Sequence, residues 1–189
     1  MVDFVENYTF EAQREIHGEY YHSDQVSIFV HVLYRHAQDN VDYIERTNKR
    51  KSVCDHFYIS DNRTPDTHYV QHCFDIIYDS LKTLGIVINE HWIWSDGCEG
   101  KFKSSQSFFW LCCLQRKMNI KQHWNFFETG HGKGEHDGSG RCVKRALRRH
   151  QMNHYVDRFV FANQVIQWCH LNLNHEYNQR SKYVHRYEL

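Results

Sequence analysis

The stretch Gln25–Tyr34 (QVSIFVHVLY) is the clearest structural signal in the sequence. It is dominated by β-branched and aromatic side chains, which favour strands. Two more strands are predicted on either side of it: Met1–Phe10 (MVDFVENYTF), which alternates apolar and polar residues, and Cys54–Ser60 (CDHFYIS). Three strands that follow one another in this way predict an antiparallel meander.

The sequence after the third strand changes to a helical period. Residues Asp66–Leu84 place apolar side chains three and four positions apart, which predicts a helix with one buried face, and Gly85 follows as its C-cap. The further predicted elements are a strand region Ile86–Trp94, a helix Ser104–Met118, a strand Gln122–Phe127, a glycine-rich turn Gly130–Gly140, a basic helix from about Ser139 to Gln151 and a last helix from about Asp157 to Asn172.

This order predicts an α/β fold with a mixed five-stranded sheet, three strands antiparallel and the later ones joined by parallel β-α-β units, flanked by helices. We expect residues 1–150 to form this core. Residues 151–189 would add a C-terminal helical extension and a polar, tyrosine-rich tail.

Composition excludes several classes of protein. The 189 residues are 41% hydrophobic and 24% charged, which is typical of a globular chain rather than a disordered one. Lysine plus arginine and aspartate plus glutamate both total 23, so DNA binding would need a local basic patch. The seven cysteines form no C-x-x-C pair, and we find neither a secretory signal nor an apolar stretch long enough to cross a membrane. We therefore expect an intracellular protein without membrane insertion.

Three acids lie on or directly beside predicted strands and helices. Asp3 lies on the first strand (VDFVENY), Asp96 follows the fourth (HWIWSDG), and Asp137 precedes the basic helix after the fifth (HGKGEHDGSGRCVKR). Strand pairing can bring acids together that are far apart in sequence, and grouped carboxylates bind hard divalent cations.

Together with I-S-D-N and F-K-S, these segments resemble the ribonuclease-H-like cores of DNA-transposon transposases, and the resemblance covers roughly residues 1–150. It implies that Asp3, Asp96 and Asp137 are catalytic residues and bind Mg²⁺ or Mn²⁺ for DNA phosphodiester cleavage and strand transfer. It also implies a nuclear protein. The segment Cys98–Lys101 departs from the family pattern, in which a glutamine precedes Phe102-Lys103, and this puts substrate contacts near Asp96 in doubt.

Basic residues follow the third acid. They recur at steps of three and four on the helix after Asp137, which predicts a stripe that contacts the DNA backbone or a solvated helix face. The predicted nucleic-acid-binding residues are Lys133, Arg141, Lys144, Arg145, Arg148 and Arg149.

Other readings of these residues remain open. Glu6, Asp61 and Glu135 compete with the three acids, although Asp61 also suits a turn before Pro65. Four close pairs offer zinc ligands without the spacing of a zinc finger. These pairs are Cys54/His56, His72/Cys73, His131/His136 and Cys169/His170.

Two functions fit this sequence. One is a metal-dependent DNA-cleaving core. The other is a domesticated, catalytically silent remnant in the cytoplasm that acts through a protein partner, as a regulator, toxin or antidote. Met1 lies close to the first strand, which leaves no room for a DNA-end-binding module and favours the remnant. The tail favours a protein partner too, because its tyrosines and arginines are typical of interfaces, although the same residues could also stack on nucleobases. These residues are Tyr177, Arg180, Tyr183, Arg186 and Tyr187.

Overall fold

A computed structural model describes residues 1–10, 24–38, 51–128, 134–153, 159–173 and 181–186, with 51–52 and 181–186 described by backbone alone. The chain divides into two compact units. The first unit consists of Met1–Val2, Leu33–Val53 and Pro65–Lys133. The second unit consists of Asp3–Val32, Cys54–Thr64 and Gly134–Leu189.

The three predicted N-terminal strands are confirmed and form an antiparallel sheet. They are β1 (Val2–Thr9), β2 (Gln25–His36) and β3 (Lys51–Ser60), with β2 in the middle. β2 is buried from Val26 to Leu33, as a central strand covered on both faces should be.

The second unit also contains the third and fourth helices of the chain, α3 (Glu135–Asn153) and α4 (Ala162–Leu173). The expected start of α3 near Ser139 is wrong, because the helix begins four residues earlier and contains Gly138 and Gly140. α4 begins at Ala162, where the Asp61 carboxylate accepts a hydrogen bond from the Ala162 backbone N–H at 2.8 Å. This contact caps the first turn of the helix.

The first unit contains a β-α-β unit preceded by a helix. The elements are α1 (Thr67–Thr83), β4 (Glu90–Ser95), α2 (Ser105–Met118) and β5 (Lys121–Phe126). Asp66 caps α1, and Gly85, which ends it, has a positive φ of 70°. The buried face predicted for α1 is confirmed from Val70 to Leu81. β4 and β5 pair in parallel, as the sequence predicts.

The strand pairing is only partly as expected. β4 and β5 form their own two-stranded sheet, so the structure does not confirm one continuous five-stranded sheet among the described residues. The polar tail contains a strand that the sequence does not predict, β6 (Ser181–Arg186), which pairs in parallel with β3. No helix within the described ranges is both long and apolar enough to span a membrane.

Candidate metal centre

Asp3 lies near the start of β1, the edge strand of the antiparallel sheet. Its side chain is 26% exposed. One carboxylate oxygen, Oδ1, accepts a hydrogen bond of 2.7 Å from the Phe4 backbone N–H. The other oxygen, Oδ2, faces His136 of α3.

The first turn of α3 supplies the other two groups. His136 is 1% exposed, whereas its neighbour Asp137 is half-buried. The Asp137 backbone N–H donates to the Gly134 carbonyl oxygen at 3.1 Å, and the Gly134 N–H donates to Asp137 Oδ2 at 3.3 Å. These reciprocal bonds fix the turn from which the helix begins.

Asp3, His136 and Asp137 converge at one point. One ligand atom from each lies within 4.8 Å of the others, and His136 Nε2 is 3.6 Å from Asp3 Oδ2. Within the described residues, these are the three potential metal ligands that lie close enough together to hold one ion.

Close packing of α3 on the sheet positions this group. A Cβ built at Gly140 would overlap Val5 Cγ1 of β1 and lie 3.4 Å from Val30 Cγ2 of β2. Glycine at this position therefore lets the helix backbone approach the strand that carries Asp3. One helical turn away from His136, the Ser139 hydroxyl donates to the buried carboxylate of Asp55 at 3.1 Å.

The donor set fits a single small divalent cation. Ligand atoms bound about 2.1 Å from one ion lie at most about 4.2 Å apart, so the observed spread needs only a small movement of side chains. Two carboxylates balance the charge of such an ion, and a neutral imidazole adds a nitrogen ligand.

Asp96, the third predicted acid, lies in the first unit and is not a member of this group. It follows β4 directly, and its Oδ1 accepts a hydrogen bond of 3.1 Å from the Cys98 N–H. The carbonyl of Cys98 accepts from the backbone of Phe102 and Lys103, at 2.9 and 3.0 Å. Asp96 thus helps to form the turn in which the sequence departs from the transposase pattern.

The competing acids have separate contacts. The Glu6 carbonyl oxygen accepts from Lys144 Nζ at 3.0 Å, and the Glu6 carboxylate lies 3.7 Å from the same atom. Asp61, which the sequence suggests for the turn before Pro65, caps α4. Glu135 is exposed beside the metal-ligand candidates.

The basic stripe is partly as predicted. Arg141, Arg145, Arg148 and Arg149 are exposed along α3, while Val143 and Leu147 on the opposite face are buried. Lys144 is half-buried and bonded to Glu6. Lys133 lies outside the described residues.

Three of the proposed zinc pairs lie wholly within the described ranges and enter no group of three ligands there: Cys54/His56, His72/Cys73 and Cys169/His170. Cys54 and His56 are both buried on β3, and the His56 ring lies 6.1 Å from that of His31. His131 lies outside the described residues, so the pair His131/His136 stays a prediction.

The sequence pattern indicates His136 only as a possible zinc ligand beside His131. A signal for its inward position was present, since His136, Gly140, Val143 and Leu147 are spaced by four, three and four residues. Placing the helix start at Ser139 hid this pattern, because His136 then belonged to a turn.

A family model described as a domain of unknown function (DUF8701) matches residues 1–188. No curated protein and no solved structure matches the chain.

Proposed function

This chain belongs to that family of domains of unknown function, and we propose that it is a ribonuclease-H-like, transposase-derived domain that binds a divalent metal ion and cleaves phosphodiester bonds in DNA. The observation that carries the proposal is the convergence of Asp3, His136 and Asp137 within 4.8 Å. Two of these three residues are acids that the transposase resemblance selects.

The order of elements also supports the proposal. Three antiparallel strands come first, and the first of them carries an acid. A parallel β-α-β unit follows, and the helix after β5 carries the second acid of the group in its first turn. A ribonuclease-H-like core would have this order.

The proposed ion is Mn²⁺, or Mg²⁺ in its place. When bound, such an ion supplies Lewis acidity at a phosphate oxygen and lowers the pKa of water. Asp3, Asp137 and His136 would hold it, and the exposed arginines of α3 would bind backbone phosphates as charge-assisted hydrogen-bond donors. Asp96 is included as a catalytic residue of the proposal on the resemblance alone.

A second candidate is the silent remnant that acts through a protein partner. One observation favours it: the group of ligands contains two of the three predicted acids, while Asp96 bonds within its own turn. Retention of the fold without cleavage is compatible with that arrangement.

A nicking assay on supercoiled plasmid with Mn²⁺ tests the first candidate. We expect cleavage by the wild type and a loss of at least about a hundredfold in Asp137→Asn and Asp3→Asn, because removal of metal charge stabilisation costs several kcal/mol. Glu135→Gln is the matched control, since it removes a neighbouring exposed acid of the same helical turn and should retain activity.

Metal binding separates the two candidates. Wild type that binds Mn²⁺ at Asp3, His136 and Asp137 but never nicks DNA would support the remnant and exclude the nuclease. Nicking that survives Asp137→Asn would reject this site altogether. The Asp96→Asn variant, which should bind Mn²⁺ normally, reports whether Asp96 contributes to cleavage.

A further inference from the structure

A polar contact joins the buried face of α3 to β3. Ser139 of α3 and Asp55 of β3 are 8% and 1% exposed, and the Ser139 hydroxyl donates to Asp55 Oδ2 at 3.1 Å. An aspartate is almost never buried to this depth unless hydrogen-bond donors surround its carboxylate. The hydroxyl therefore stabilises Asp55, and it ties α3 to a strand that supplies none of the three grouped metal ligands.

The position of Ser139 on the helix gives this contact its effect on the metal centre. Successive residues of an α-helix are about 100° apart around its axis, so Ser139 and Asp137 point about 160° away from each other. His136 lies between them on the inward face and is almost fully buried. Asp137 thus meets Asp3 of β1 on one flank of α3, and Ser139 meets Asp55 of β3 on the other flank.

The sheet between these two flanks gives apolar contacts. β2 lies between β1 and β3, and it is here that Gly140 of α3 lies against Val5 and Val30. Apolar contacts hold a helix against a sheet but have no preferred direction, whereas a hydrogen bond weakens steeply when its angle changes. The bond between Ser139 and Asp55 therefore restrains rotation of α3 about its own axis.

The proposed metal centre is sensitive to such a rotation. The outer side-chain atoms of a helix lie about 5–6 Å from its axis, so a rotation of about 10° would move the ligand atoms of His136 and Asp137 by about 1 Å. The distances between a metal ion and its ligands must be kept within about 0.2 Å. A rotation of this size would therefore separate two of the three ligands from Asp3.

We infer that Asp55 is a positioning residue of the metal centre: through the hydrogen bond from Ser139, it sets the rotation of α3 that directs His136 and Asp137 toward Asp3. The inference rests on the proposed function, because it assigns a supporting contact to the site of the same ion. Loss of a contact that orients metal ligands typically lowers the affinity for the metal about 10–100-fold.

Titration with Mn²⁺, followed by electron paramagnetic resonance of the free ion, tests the inference. We expect Ser139→Ala to weaken Mn²⁺ binding about tenfold, although alanine is the better helix former and does not weaken α3 itself. Asp55→Leu should weaken binding to the same degree. Asp55→Asn should retain most of the affinity, because its side-chain oxygen still accepts the hydrogen bond from Ser139. The double variant Ser139→Ala/Asp55→Leu should bind no more weakly than Ser139→Ala, since both changes remove the same bond.

A matched control and a metal-free measurement separate positioning from stability. Ser27 of β2 is also fully buried, and its hydroxyl lies 3.5 Å from the Ser60 carbonyl oxygen. Ser27→Ala should leave the affinity for Mn²⁺ unchanged, whatever stability it costs. With EDTA present, the imidazole NMR signals of His136 should shift in Ser139→Ala and in Asp55→Leu but not in Ser27→Ala, because rotation of α3 changes the surroundings of the ring.

Three results would overturn the inference and leave the metal centre standing: equal affinity for Mn²⁺ in wild type and Ser139→Ala, binding by Asp55→Asn as weak as that by Asp55→Leu, or His136 signals that shift equally in Ser27→Ala. The second result would mean that the charge of Asp55, rather than its hydrogen bond, acts on the ion. Wild type that binds no Mn²⁺ would reject the proposed function and the inference together.

Discussion

His136 gives the proposed metal site a different chemistry from that of three carboxylates. Imidazole nitrogen is a ligand for Mn²⁺, Zn²⁺ and other transition metals, whereas Mg²⁺ prefers oxygen. His136 is almost fully buried on the inward face of α3, so its ring has few alternative orientations. The residue therefore favours Mn²⁺ over Mg²⁺ within the proposed pair of ions.

We predict that His136→Asn weakens Mn²⁺ binding at least about tenfold. Loss of an outer-shell partner alone costs a metal site this much, and loss of a direct ligand should cost no less. Mg²⁺ binding should change less, since the asparagine carbonyl still offers oxygen. Electron paramagnetic resonance of free Mn²⁺ during a titration measures both effects, with Mg²⁺ as competitor. Equal losses for the two ions would show that His136 only supports the fold.

His91 gives the first unit a dependence on pH. Its Nδ1 lies 2.5 Å from the Tyr78 hydroxyl, which also bonds to Gln122. Burial lowers the pKa of His91 from 6.5 to about 4. Because the unfolded chain takes up a proton here before the folded chain does, the free energy of unfolding should fall as pH drops below 6.5.

Between pH 7 and pH 5 we expect His91 to account for a loss of about 2 kcal/mol. Urea unfolding followed by tryptophan fluorescence at both pH values measures it. We expect the His91→Gln variant to be less stable than the wild type at pH 7. Between pH 7 and pH 5 its free energy of unfolding should fall by about 2 kcal/mol less than that of the wild type. The same pH dependence in both proteins would assign the effect to other groups.

At the scale of elements, the contact between α3 and β1 depends on Gly140. We predict that Gly140→Ala destabilises the protein by about 1–3 kcal/mol, the usual cost of overpacking, because the new methyl group meets Val5. Gly138→Ala is the matched control in the same helix. No atom lies within 4 Å of its added Cβ, so alanine there should be neutral or stabilise the helix by about 1 kcal/mol.

Chemical denaturation of both variants measures this difference. In the double variant Gly140→Ala/Val5→Ala, much of the lost stability should return, since the overlapping valine methyl groups are removed. Equal stability of the Gly138 and Gly140 variants would mean that α3 does not approach β1 closely. Mn²⁺ affinity should fall in Gly140→Ala along with stability, because the contact positions Asp3 against α3.

The elements show what the sequence can and cannot predict. β1 to β3, α1 and α2 follow from local periodicity and capping residues such as Asp66 and Ser104. The start of α3 does not, because Gly138 and Gly140 lower helix propensity and only tertiary packing explains the second. β6 is not predictable in this way, because Tyr183 and Val184 stand among polar residues without a strand alternation and their partners on β3 are more than a hundred residues away.

The candidate metal site is likewise only partly predictable from the sequence. The resemblance to transposase cores implies a site at Asp3 and Asp137, and the structure brings these two acids together. The inward position of His136 depends on how α3 packs, which the local sequence does not show. The place of Asp96 depends on how distant strands pair, which local sequence patterns do not determine.

At the scale of the whole molecule, charge balance should control solubility. Lysine plus arginine equals aspartate plus glutamate, 23 each, and the isoelectric point expected from the sequence is about 7.3. Near that pH the chain lacks net repulsion between copies. The chain also has 16 histidines, and those accessible to solvent gain positive charge as pH falls toward 6.

We therefore predict that self-association is strongest near pH 7.3 and declines at pH 6, before the loss of His91-linked stability becomes large. Static light scattering across this range measures the change, and added salt should reduce the difference by screening the repulsion at pH 6. Trp92→Ala serves as the comparison, since it leaves net charge unchanged. Association that persists at pH 6 but is abolished in Trp92→Ala would mean that exposed aromatic rings, rather than charge balance, hold the copies together.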